Sequence, residues 1–151
     1  MAESASGFTA DLTIAGPHCQ AFGNDIDALI LEVQYQTKQR LNVKIYPKYL
    51  DAVNYTRYIL SPSLVLAPEW DGKTTSNSSD LTLTWTNEPT FQFKITRSSS
   101  GEEIFSTYGH VIVFEDQFIE LVTNMVDVSF PKSFSILSQL TTFCRTIMST
   151  A

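Results

Sequence analysis

Sixteen acidic side chains are the obvious raw material for acid–base chemistry, so their spacing is tested first. Glycosidic-bond cleavage needs two carboxyl groups roughly 5 to 9.5 Å apart. Glu115 and Asp116 are neighbours in a segment that reads as a strand, so they face opposite ways. Glu102 and Glu103 oppose each other for the same reason. Asp116 and Glu120 share a face but stand about 13 Å apart over four strand steps. None of these is a catalytic dyad by itself. His18 and His110 are isolated, and Cys19 and Cys144 form no CxxC pair, so zinc and thioredoxin-like chemistry have no ligand set. GxSxG, HExxH and a phosphate-cradling glycine loop are all missing. The sequence therefore offers no catalytic, cofactor-binding or metal residue.

Binding chemistry is better represented. Trp70, in "APEWDGK", lies in a loop-like stretch, where an aromatic ring suits the apolar face of a pyranose. The competing assignment is a plug at the edge of the core. Trp85 falls on the inward parity of its strand and is assigned to the core. Asn54 in "NYT" and Asn77 in "NSS" fit the N-glycosylation acceptor pattern, and both fall in expected loops.

The elements that must position these residues are strands. "ALILEVQYQ" puts Leu29, Leu31, Val33 and Tyr35 on one face, and "RLNVKIY" puts Leu41, Val43 and Ile45 on one face. The short "TKQR" connection makes the two an antiparallel hairpin. "DLTLTWT", "TFQFKIT", "EIFS", "HVIVFE" and "DQFIELVT" continue the series, and "FTADLTIAG" opens it. About eight short strands without a helix before residue 130 predict an all-β antiparallel sandwich. Leu31, Val33, Val43, Leu83, Phe93 and Val113 are its expected core. Residues 46–72, with Pro47, Pro62 and Pro68, and the polar stretch 72–80 are the expected long connections.

The 151 residues suit one domain that buries roughly 70% of its unfolded surface. A net charge of −6, with Lys38, Arg40, Lys44 and Lys48 spread over a solvated hairpin face, argues against nucleic acid as a partner. No apolar run approaches the ~20 residues of a spanning helix, so no membrane span is expected. "MAESASGFTADL" lacks the basic and apolar regions of a secretory signal.

Two long segments carry a resemblance. "SGFTADLTIAGPHCQAFGNDIDALILEVQYQTKQRLNVKIYP" and "EPTFQFKITRSSSGEEIFSTYGHVIVFEDQFIELVT" resemble the early region of fungal α-glucosidases of glycoside hydrolase family 31. The resemblance covers residues 7 to about 124 and implies a galactose-mutarotase-like β-sandwich ahead of a catalytic (β/α)8 barrel. It further implies that complete members release terminal α-linked glucose from α-glucans and α-glucosides, need no cofactor, and are usually secreted. The family's "YGLGE"-like segment has no counterpart here, since "NMVDVSFPKSF" stands in its place. The barrel's catalytic aspartates have no counterpart either, so the chain is expected to be inactive alone.

These features divide the chain into an N-terminal sandwich, residues 1–125, and a divergent tail, residues 126–151. Phe134, Leu137, Leu140, Cys144 and Ile147 recur at helical spacing after Pro131, which fits a terminal helix over 133–148. Val128-Ser129 is also compatible with a GTNAGT coding sequence resembling an intron start, which would make the tail non-native. Three functions stay open: a truncated glucosidase, a free-standing carbohydrate-binding module resting on Trp70, and a structural domain without a ligand. Genomic sequence downstream separates the first from the others; a glucan titration separates the second from the third.

Overall fold

The computed structural model describes residues 2–14, 16–18, 20–49, 70–115, 118–125 and 148–150. Among these residues every regular element is a strand. They are β1 (Ala2–Ser4), β2 (Gly7–Ile14), β3 (Ala28–Thr37), β4 (Arg40–Pro47), β5 (Leu81–Thr86) and β6 (Gln92–Arg97). β7 (Glu103–Ser106), β8 (Ile112–Glu115), β9 (Phe118–Leu121), β10 (Asn124–Met125) and β11 (Met148–Thr150) follow. One sheet runs β1-β2-β3-β4, with β11 also paired to β2; a second runs β10-β7-β6-β5; β8 and β9 form a hairpin. All pairings are antiparallel.

The alternation read in the sequence is the burial pattern of β3. Leu29, Leu31, Val33 and Tyr35 are buried, while Ile30, Glu32, Gln34 and Gln36 are only half-buried. Leu12 and Ala10 join them from β2, and Phe91 and Phe93 meet them from the second sheet, together with Ile112 and Phe114. The two faces close on one apolar cluster, which makes the fold an antiparallel β-sandwich. Phe93 sits at its centre, with ring centroids 6.0 Å from Phe91 and 5.3 Å from Phe105. Val43, Leu83 and Trp85 pack against this cluster while partly exposed, because they lie on strands at or near the sheet margins. Val113 is buried, but its neighbours Ile112 and Phe114 are the residues that enter the cluster.

Three strands escaped the sequence reading, among them β10, which pairs Asn124 and Met125 with Ser106 and Phe105. β1 precedes the expected first strand and pairs Ala2, Glu3 and Ser4 with Thr9, Phe8 and Gly7. β11 pairs Met148, Ser149 and Thr150 with Ile14, Thr13 and Leu12. The expected helix over 133–148 lies outside the described residues up to 147, and Met148 is in a strand. Cys19, Asn54, Asp116 and Cys144 likewise lie outside them.

Candidate functional site

The acids come first. Glu115 is completely buried at the end of β8. Its carboxylate accepts N–H bonds from Ala21 (3.1 Å) and from Phe22. Gln20, just before them, has φ of 52°, the left-handed turn that aims successive N–H groups at one anion. Ile26 N–H donates to Phe114 O at 3.2 Å, so Glu115 and β8 together hold the 20–26 loop. Its oxygens are thus committed to structure. Glu102 accepts from Arg97 Nε at 3.2 Å in the β6–β7 connection. Glu120 lies on β9 opposite Val113.

His18 was not assigned partners by its spacing, and the fold supplies two. Its Nδ1 lies 3.3 Å from Asp25 Oδ2 and its Nε2 3.4 Å from Asp27 Oδ1. The ring bridges two carboxylates instead of directing both at a shared point. Among the described residues no His, Cys, Asp and Glu cluster is suited to a metal ion. The signal in the sequence was the i, i+2 spacing of Asp25 and Asp27, which puts both on one side of an extended segment.

Trp70 is brought to a groove. Its side chain is 53% exposed, and it borders a shallow depression of about 250 Å3 over the outward face of the first sheet. The floor follows from register. Thr9 pairs with Glu32 and Ala2 with Thr9, forming one outward row; Ser4, Gly7 and Gln34 form the next. Gly7 contributes no side chain, so the second row is open at its middle. A Cβ at Gly7 would come within 1.9 Å of Val33 O, so the position accepts glycine alone.

A polar ladder runs along β3 beside this floor. Gln34 Nε2 donates to Glu32 Oε1, Gln36 Nε2 to Gln34 Oε1 (3.3 Å), and Arg40 Nε to Gln36 Oε1 (3.0 Å). Each link polarises the next in one direction.

The loop after Trp70 is fixed. Asp71 N–H donates to Gln36 O at 3.1 Å, tying the loop to the end of β3. The Asp71 carboxylate accepts N–H bonds from Lys73 (2.8 Å) and Thr74 (2.9 Å) and the Thr74 hydroxyl (2.6 Å). The Thr74 hydroxyl, and then the two N–H groups, hold the Asp71 carboxyl below the usual carboxylate range. Ser76 N–H donates to Ala5 O and Asp80 N–H to Lys38 O, which pins the rest of the loop to the β1–β2 and β3–β4 turns. Asn77 is exposed at the tip of that loop.

A second surface is apolar. Leu41, Val43 and Ile45 of β4 line an open groove of about 340 Å3, whose other walls are Phe93, Ile95 and Phe105 and the β8–β9 hairpin. Ile119 and Leu121 stand at its rim, 60% and 42% exposed. Period-2 reading placed Leu41, Val43 and Ile45 of β4 on one face without showing that a channel lies between them and β9.

Comparison with known proteins agrees with the resemblance. No family model matches the chain. An α-glucosidase of Aspergillus oryzae is 47% identical over 120 residues, 80% of this chain and 12% of that enzyme. An α-glucosidase of Schizosaccharomyces pombe is 38% identical over 131 residues, 84% of this chain and 13% of its own length. A family 31 glucosidase of the same yeast is 35% identical over 130 residues, 84% of this chain and 12% of its own length. The chain thus spans about an eighth of the length of the curated relatives it matches. Over that span it belongs to the fungal α-glucosidase group of family 31 glucosidases.

Proposed function

We propose that this chain is the non-catalytic N-terminal β-sandwich domain, of the galactose-mutarotase-like type, of a family 31 α-glucosidase. Residues 1–125 are the sandwich and residues 126–151 a divergent tail. The enzyme to which it corresponds hydrolyses terminal α-linked glucose, and the carboxylates for that reaction belong to its barrel. The carrying observation is the apolar groove of β4, β6, β7 and the β8–β9 hairpin, on a chain that matches only 12% of an α-glucosidase. An open channel walled by aliphatic and aromatic side chains suits a protein partner. Its occupant in this reading is the remainder of the enzyme. Asn77, exposed on its loop, is an N-glycan acceptor in the same reading, as is Asn54.

The test is reconstitution. The Aspergillus oryzae enzyme lacking its matched 120 residues is co-expressed with this chain and assayed on maltose. Gain of soluble, active enzyme is expected. The Ile119→Lys, Leu121→Lys double variant changes only rim residues and should abolish the gain while folding normally. Equal rescue by the variant would sink the docking role of the groove.

A further inference from the structure

We infer that the Trp70 groove is a saccharide-binding surface, and that it takes a neutral, linear, α-linked glucan lying across the sheet. The choice of α-linked glucose rests on the family 31 reading; the site itself stands on four local observations.

First, Trp70 is a large exposed aromatic ring beside a polar floor. Pyranose rings present a face of C–H groups rimmed by hydroxyls, and only a flat apolar platform with hydrogen-bonding neighbours satisfies both parts. Second, the neighbours are of the right kind. Each glutamine of the ladder has two N–H donors and an oxygen with two lone pairs. The ladder uses one N–H and one lone pair of Gln34 and leaves capacity for hydroxyls. Ser4, Ser6 and Thr9 add hydroxyls on the opposite side. Third, the platform is held before any ligand arrives. The bonds from Asp71 to Gln36, Lys73 and Thr74 fix the residue next to Trp70, so little ordering cost falls on binding. Fourth, shape and charge select the class. The groove is open and, at about 250 Å3, lies below the ~300–1,000 Å3 of pockets that engulf small ligands. It suits a chain laid across it. Glu3 and Glu32 line it on a chain of net charge −6, which disfavours acidic polysaccharides.

The experiment is calorimetric titration of the full chain with maltoheptaose, cellohexaose and a trigalacturonate. Saturable binding of maltoheptaose is expected, with weaker binding of the other two. Trp70→Ala should weaken it at least about ten-fold, the equivalent of ~1.4 kcal/mol. Gln34→Ala should weaken it several-fold, and Ile119→Lys with Leu121→Lys should leave it intact. Trp70 is exposed, so W70A should keep the parent's melting temperature, and lost binding then reports the platform. Absence of maltoheptaose binding, or unchanged binding by W70A, overturns the site. Equal affinity for cellohexaose overturns the α-linked assignment. Reconstitution with the rest of the enzyme is indifferent to all of these, so either proposal can fail without the other.

Discussion

Val33 is 1% exposed, and its carbonyl lies where a Cβ on Gly7 would have to go. Each residue gives a sharp test. Val33→Asp buries a charge without a partner, which costs several kcal/mol and should leave the domain unfolded in thermal melts. A parent-like melt would overturn the inward assignment of β3. Gly7→Ala forces the β2–β3 pairing apart and should cost about 1–3 kcal/mol by denaturant titration. Glu115→Ala leaves the N–H groups of Ala21 and Phe22 without their acceptor, an expected loss of about 1–3 kcal/mol for each donor. Amide exchange should show the opening confined to residues 20–26. Val33 was legible because an apolar residue in a period-2 pattern has one natural place. Glu115 was not, because an acid at a strand end looks solvated until its partners, more than ninety residues earlier, are known.

At the scale of elements, the β3–β4 hairpin was legible in full, since both strands alternate and their turn is short. β1 and β11, with three residues each, are too short to show a period, and the first strand's existence depends on the edge of β2 that it covers. The loop after Trp70 was read as polar and irregular, yet the Asp71 carboxylate and backbone bonds to Gln36, Ala5 and Lys38 fasten it, and those distant backbone partners are not visible in the sequence. Its hold depends on pH in one direction. The folded Asp71 carboxyl ionises below the ordinary range. The stabilisation is therefore complete above the unfolded carboxylate pKa and is lost as pH falls through the lower, folded value. Trp70 emission should shift in that acid window, and Asp71→Asn should remove the window and leave Trp70 looser at neutral pH.

For the whole molecule, sandwich architecture followed from the sequence because two sets of alternating strands need one shared core. The grooves did not, since each arises where separate strands meet: β4 with β6 and β8–β9, or β1 and β2 with the loop after Trp70. Purified alone, the chain should not turn over maltose or an aryl α-glucoside. Turnover that persists through removal of contaminants would contradict the non-catalytic assignment. Ile119 and Leu121, exposed on one rim, should also make the chain associate at high concentration, and light scattering should fall in the I119K, L121K variant.

β1 and β11 share one edge of β2, and both run antiparallel to it. Thr150 stands opposite Leu12 and Ala2 opposite Thr9, so two positions of β2, Ala10 and Asp11, separate them. The same edge of β2 is therefore covered from one end by the start of the chain and from the other by residues 148–150, which shields it from pairing with a second molecule.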